Sequence, residues 1–151
     1  MKKLMLAGAV FAAAFAPAAA GRAFEFSSGG AYHLGGHGEW VFAVNDAGEM
    51  TIAHNVCDED VSKYGPYELT SSQVGALWDR VDAAALADVD FPVRPGVPDE
   101  VRYRFEVRGE GEDVVLEVWV NDAREHAGLV ALVNCCGALI HSYAGIEPVL
   151  W

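Results

Sequence analysis

The segment from 101 to 107 alternates between apolar and polar residues without interruption, and this pattern constrains the fold more than any other feature. In this segment every second residue is apolar, and the polar residues between the apolar ones include Arg102 and Arg104. A second segment, 114–120, follows a connection rich in glycine and glutamate at 109–112; it is apolar except for Glu117 and is predicted to be the returning strand. Because successive side chains of a strand point to opposite faces, the two segments predict a β-hairpin with one buried and one solvent-facing side.

Three earlier segments, at 23–27, 40–44 and 49–53, are also predicted to be strands, because they combine apolar residues with bounding turn residues. The region from about 31 to 69 is otherwise rich in glycine and acidic residues and contains Gly65-Pro66. Such residues are typical of irregular connections. We therefore expect a long loop region at about 31–69, interrupted by the second and third strands.

Two amphipathic helices are predicted between and after the strands. Thr70 and Gln73 match a capping box at the start of the first helix, and its apolar residues recur at helical spacing: Val74, Leu77, Trp78, Val81 and Ala85. The second helix is expected from about Arg124 to Tyr143. Its apolar stripe comprises Leu129, Leu132, Val133, Cys136, Ile140 and Tyr143. The segment 88–98 between helix and hairpin carries three prolines and is expected to be irregular.

The order ββ(β)-α-ββ-α predicts an α+β fold. We expect an antiparallel sheet of four to five strands, with the two amphipathic helices packed on one face and polar residues on the other.

The first twenty residues indicate export. A basic pair at positions 2 and 3, an apolar run ending at Phe15 and small residues up to Ala20 follow the order of a secretory signal peptide. Cleavage is expected after Ala20, with cleavage after Ala23 or an uncleaved amino-terminal anchor as alternatives. The apolar run is shorter than the ~20 residues that a membrane span needs. Residues 21–151 are expected to form one periplasmic or secreted domain, with no stable membrane insertion after cleavage.

The formal net charge of −12 disfavours some partners. An acidic surface repels the phosphates of nucleic acids and anionic lipid headgroups, so neither is expected to bind. The acidity suits solubility in an exposed compartment, or the capture of a basic partner.

Three cysteines follow the predicted signal peptide, namely Cys57, Cys135 and Cys136. An oxidising compartment favours disulfides. Neighbouring residues of a helix point about 100° apart, so a bond between Cys135 and Cys136 would be strained, and the preferred pair is Cys57 with Cys135. The alternative is three unpaired thiols, with Cys136 packed in the core.

Metal binding is an alternative function. His33, His37, His54 and Cys57 carry ligand types that zinc and copper accept, although the glycines between the first two histidines argue against a helical ligand pair. The chain contains no HExxH sequence and no GxSxG elbow. We therefore predict neither an enzyme nor a cofactor.

The polar face of the predicted hairpin is a candidate surface for a protein partner. It carries Arg102, Arg104 and Trp119, and arginine and tryptophan are over-represented among the residues that dominate interface energies. The alternative is local neutralisation of the arginines by Glu106 and Glu117, with the tryptophan covered by an arginine side chain.

Several segments also match the pattern of a known family. They are Phe24–Gly30, the capped helix with Leu77 and Val81-Asp82-Ala83-Ala84, Pro98-Asp99-Glu100, Tyr103–Val107 and Asn121-Asp122. Over roughly 24–133 the chain resembles emfourin-like proteins, small bacterial inhibitors of thermolysin-like metallopeptidases.

Together with the predicted export, the resemblance implies a binding module that inhibits a secreted metallopeptidase by occlusion. A sheet edge and the loop at Gly29 and Gly30 would fill the substrate cleft without being cleaved, since an extended segment pairs there as substrate does. The other functions kept open are the metal-binding protein described above and a structural or interaction domain of the cell envelope.

Overall fold

The computed structural model describes residues 21–29, 38–57, 60–98, 100–109, 111 and 113–150. The predicted signal peptide lies outside these residues. Within them, six strands form one antiparallel sheet in the spatial order β4-β3-β2-β1-β5-β6. The strands are β1 (Ala23–Gly29), β2 (Glu39–Asn45), β3 (Glu49–Cys57), β4 (Asp60–Glu68), β5 (Arg102–Arg108) and β6 (Val114–Trp119).

The same described ranges contain three α-helices and one 3₁₀ turn. The helices are α1 (Ser71–Ala84), α2 (Val120–Arg124) and α3 (Ala127–Ala144), and the 3₁₀ turn spans Leu86–Asp88. The capping box of α1 is confirmed, because the Gln73 backbone N–H donates to the Thr70 hydroxyl and the Thr70 N–H donates to the Gln73 side chain. Gly145 ends α3 in the left-handed conformation.

The α+β class is confirmed, but the described elements exceed the expected four to five strands and two helices. The additional strand is β4, which lies in the segment predicted to be a connection. It pairs with β3 at the edge of the sheet, where Pro66 is tolerated, and two register shifts interrupt its alternation. The additional helix is the five-residue α2, because β6 ends at Trp119 and the chain turns directly into a helix.

The core lies between α1, α3 and one face of the sheet. Phe26 is at its centre, where its ring contacts the rings of Phe105 and Tyr103. The buried apolar residues of α1 and α3 belong to the same cluster. Ala85, predicted on the apolar stripe of the first helix, instead follows the end of α1 in the left-handed conformation and is exposed. Among the helices described, α3 alone has the length and mean hydropathy that a membrane-spanning helix needs. Six of its side chains are buried in this core.

The opposite side of the sheet, which we call the outer face, carries the residues of alternate register. On β1, β5 and β6 these include Glu25, Arg102, Arg104, Glu106, Glu117 and Trp119. This is the arrangement that the alternation in 101–107 predicted.

Candidate protein-binding site

Three of the residues predicted to bind a partner form a row across the outer face. Gly29 on β1 is the register partner of Arg102 on β5, and Arg102 is the register partner of Trp119 on β6. The guanidinium carbon of Arg102 lies 4.5 Å from the centre of the Trp119 ring. Arg104 lies two residues further along β5, opposite Glu117. Gly30 lies outside the described residues.

The arginines of this face are paired with carboxylates. Arg102 Nη1 lies 3.4 Å from Glu117 Oε2, and both Arg104 and Arg108 donate to the carboxylate of Glu106. The hydrogen bond from Arg108 is the main reason that the pKa of Glu106 lies below its usual value, despite the opposing effect of burial. Half of the Arg102 side chain remains exposed, so the arginines are neutralised locally without being covered.

Glu25 has a different environment on the same face. It is the register partner of Glu106 across β1 and β5. Burial raises the pKa of its carboxyl, and the neighbouring charge of Glu106 raises it further. Arg104 approaches it to 3.9 Å and partly offsets both effects.

Trp119 is half-buried, because the irregular segment before β5 packs on its ring. Its indole N–H donates to the carbonyl oxygen of Arg94 at 3.1 Å. Gly96 lies against the same ring so closely that a Cβ at this position would lie 2.6 Å from a ring carbon. The ring is therefore held between this segment and the side chain of Arg102.

The segment 91–98, which we call the clamped loop, is fastened by one arginine. The Arg94 guanidinium donates to both oxygens of Glu100, at 2.7 and 2.9 Å, and to Asp122 at 3.0 Å. It also donates to the carbonyl oxygen of Pro95 at 3.1 Å. These bonds join the middle of the loop to Glu100, two residues before β5, and to α2.

Glu100 is the centre of this arrangement. Its side chain is only 1% exposed, and its two oxygens also accept hydrogen bonds from the backbone N–H groups of Val97 and Asn121, at 2.9 and 3.2 Å. The hydrogen bonds from Arg94 are the largest cause that lowers the pKa of Glu100 to about 2, and they outweigh the effect of burial. At neutral pH the loop is therefore built on a charged carboxylate.

The clamped loop carries an apolar side chain at its most exposed point. Val93 is fully exposed, whereas Val97 is 54% exposed. Pro92 and Pro95 flank the Val93-Arg94 dipeptide and restrict the backbones of Phe91 and Arg94 to extended conformations. The Phe91 and His126 rings pack edge to face, with their centroids 6.4 Å apart. The loop therefore holds Val93 away from the body of the protein, with contacts on both sides of it.

Of the four predicted metal ligands, His54 is the one whose side chain lies within the described residues. His33 and His37 lie outside them, and the side chain of Cys57 is not described either. The His54 ring stacks on the Trp40 ring at 4.0 Å, with 6° between the planes. No group of three His, Cys, Asp or Glu side chains suited to a metal occurs within the part of the chain that the structure describes. The metal-binding alternative stays a prediction.

The preferred disulfide is not formed. Cys135 is a free thiol on α3, half-buried beside Arg80 and Arg124 in a groove of about 750 Å³. Cys136 is also free and is fully buried in the core, as its place on the apolar stripe predicted. Burial raises the pKa of both thiols.

No known protein-family model matches the chain, and a search of curated proteins finds no significant match. The function is therefore argued from the geometry of the clamped loop and the adjoining outer face. The sequence predicted Arg102, Arg104 and Trp119 as candidate contact residues and only an irregular segment where the clamped loop lies. The signal that could have found it is an arginine among prolines in an acidic chain, with Glu100 at the end of the same segment.

Proposed function

We propose that the protein is an exported binding module that captures a protein partner with the clamped loop and the adjoining row of Gly29, Arg102 and Trp119. The observation that carries the proposal is the fully exposed Val93 on a loop fastened to the buried Glu100. A loop that is already ordered loses little conformational freedom on binding, and this loss is a principal cost of association.

The neighbouring residues match the composition of an interface. Val93 and the half-exposed Val97 provide apolar surface on the loop, and the paired arginines on the outer face provide a polar margin beside it. Apolar residues at the centre with polar residues at the rim are typical of protein interfaces. Trp119 connects the two parts, because it contacts the loop through Gly96 and the outer face through Arg102.

In its most specific form, the proposal is inhibition of a secreted peptidase, with a thermolysin-like metallopeptidase as the class that the resemblance suggests. Within the described residues, no hydrogen bond joins the backbone of Val93 to the rest of the protein. Its N–H and C=O can therefore pair with the walls of a substrate cleft, as those of an extended peptide do.

The test is a titration of the purified protein, from Gly21 onward, against thermolysin-like and unrelated peptidases. We expect stoichiometric inhibition of at least one secreted peptidase. The double substitution Arg102→Ser and Arg104→Ser should weaken it, whereas Lys63→Ser, at the other edge of the sheet, should not. Absence of inhibition at stoichiometric concentration across the panel would refute the peptidase form of the proposal. Equal inhibition by the double variant would exclude the arginines from the interface.

A further inference from the structure

We propose that Val93 is the side chain that enters the specificity pocket of the partner, and that this pocket is the small, apolar primary pocket of an endopeptidase. This inference rests on the proposed function and adds the contacting residue and the class of pocket. It follows from the exposure of Val93, from the direction in which Arg94 is held and from the contacts on either side of the Val93–Arg94 peptide bond.

The size and stiffness of Val93 determine the kind of pocket. A β-branched side chain has few rotamers to lose, so it enters a pocket with little loss of conformational entropy. Its small volume fills a shallow pocket and would leave a deep aromatic pocket partly empty. The two neighbouring prolines keep the backbone on either side extended.

Arg94 excludes another class of pocket. Its side chain is next to Val93 in sequence, but it is only 28% exposed and is bound to Glu100 and Asp122. An endopeptidase with an acidic primary pocket would have to break these bonds to bind the guanidinium. The loop therefore exposes the apolar side chain of Val93, while the guanidinium of Arg94 stays bound to carboxylates of the same protein.

The hydrogen bonds from Arg94 to Glu100 and Asp122, which we call the clamp, also explain how the loop could bind in the cleft of a peptidase without being consumed by cleavage. In a serine endopeptidase, whose primary pocket binds the residue before the scissile bond, hydrolysis of the peptide bond between Val93 and Arg94 would add the hydroxyl of water to the Val93 carbonyl carbon and the proton to the Arg94 nitrogen. On one side of the cut, Arg94 remains bonded to Glu100, Asp122 and Trp119. On the other side, Phe91 remains packed on His126.

Both new chain ends would thus stay close together and separate slowly. Reacting groups that are held in place recombine much faster than free ones, so the enzyme would rejoin the cut bond and the net accumulation of cleaved protein would be slow.

The experiment compares the wild-type chain with loop variants against three endopeptidases: an elastase-type serine enzyme with a small pocket, a thermolysin-like metallopeptidase and trypsin. We expect inhibition of one or both of the first two enzymes and none of trypsin. The substitution Val93→Asp should weaken inhibition by about 100-fold, because it would place an unpaired charge in an apolar pocket. Val61→Asp is the matched control, since Val61 is a 46% exposed valine on the opposite edge strand.

A second pair of variants tests the clamp. Glu100→Gln should convert the loop into a substrate, with cleavage after Val93 becoming at least about 10-fold faster, as measured by mass spectrometry. Glu147→Gln, which changes an exposed carboxylate outside the loop that lies 3.1 Å from His141 Nδ1, should leave the rate unchanged. The measurements are made well below the melting temperature of each variant, so that global unfolding does not contribute.

The outcomes separate this inference from the proposed function. If the wild-type chain inhibits and Val93→Asp inhibits equally well, the role of Val93 is wrong and the proposed function stands. If the inhibited enzyme has a deep or acidic pocket, the pocket class is wrong. If the wild-type chain inhibits no enzyme, both the peptidase proposal and the inference built on it are overturned.

Discussion

Substituting Glu100 by glutamine tests the clamp directly, because the two side chains have the same shape and differ in charge and hydrogen bonding. Each carboxylate oxygen accepts one hydrogen bond from Arg94 and one from a backbone N–H, of Val97 or of Asn121. The amide nitrogen of glutamine must take the place of one of these oxygens. In either orientation it would face two donors.

The expected loss follows from this geometry. One hydrogen bond between charged groups, at about 1.5–3 kcal/mol, and one backbone hydrogen bond, at about 1 kcal/mol, would be removed. We expect Glu100→Gln to lower the free energy of unfolding by about 3 kcal/mol and the melting temperature by roughly 10 °C. Glu117→Gln is the control, because Glu117 forms a half-exposed ion pair, and such pairs contribute about 0–1 kcal/mol.

The difference between wild type and Glu100→Gln should also depend on pH. The folded protein holds the pKa of Glu100 at about 2, whereas the ordinary value is 4.5. A lowered pKa stabilises the folded state above pH 4.5, and this contribution is lost as the pH falls from 4.5 towards 2. Glutamine does not titrate, so the two proteins should approach each other in stability over this range.

Urea unfolding followed by circular dichroism at pH 7, 4 and 2.5 measures both effects. A difference at pH 7 no larger than that of Glu117→Gln would show that the buried carboxylate does not hold the loop. A large difference that stays constant down to pH 2.5 would contradict the assignment of the stabilisation to the charged form.

Two further predictions concern the packing beneath the loop. Trp119→Ala should lower the free energy of unfolding by about 2 kcal/mol, because the half-buried ring contacts Gly96 and Arg102 and binds the Arg94 carbonyl; an unchanged thermal midpoint would place the ring in solvent. Gly96→Ala should destabilise the fold by about 1–3 kcal/mol, since the added Cβ would overlap the Trp119 ring. Gly75→Ala on α1 should stabilise it by about 0.5–1 kcal/mol, because the added Cβ would meet no atom within 4 Å. Equal effects of the two substitutions in urea unfolding would refute the close approach at Gly96.

The elements that the sequence predicts well are those with a local or periodic signal. Strand β5 follows from its alternation, its partner β6 follows from the glycine-rich connection and the apolar segment after it, and the start of α1 follows from the side-chain chemistry of Thr70 and Gln73. The burial of Cys136 follows from its place in the apolar stripe of α3. In each case neighbouring residues determine the structure, so no distant partner has to be known.

The strand β4 was missed because its evidence is not local. Gly65 and Pro66 usually end a strand, and the shift in register between Met50 and Ile52 removes the regular alternation. The segment becomes a strand because the edge of β3 is available to pair with it. An edge position also removes the requirement that every residue donate a backbone hydrogen bond, so proline is allowed there.

The clamp was missed for a similar reason. Arg94 lies in a segment with no periodicity, and Asp122 is twenty-eight residues further along the chain. Trp119 was correctly placed on the outer face, but its contact with Gly96 depends on the path of the same irregular segment. Ion pairs and ring contacts that close an irregular loop have no counterpart in the spacing of residues.

The chemistry of the clamp favours a role in holding the loop's shape. A buried ion pair contributes little net stability, because the loss of hydration offsets the attraction between the charges, and apolar residues of similar size often stabilise as well. A loop that only joined the 3₁₀ turn to β5 would not need two carboxylates and an arginine. These groups fix the position of the loop instead. Glu100 accepts four hydrogen bonds that hold the loop in place, and the flanking prolines limit the conformations of the loop backbone. Since Val93 is fully exposed and takes no part in this network, we infer that the arrangement serves to present Val93.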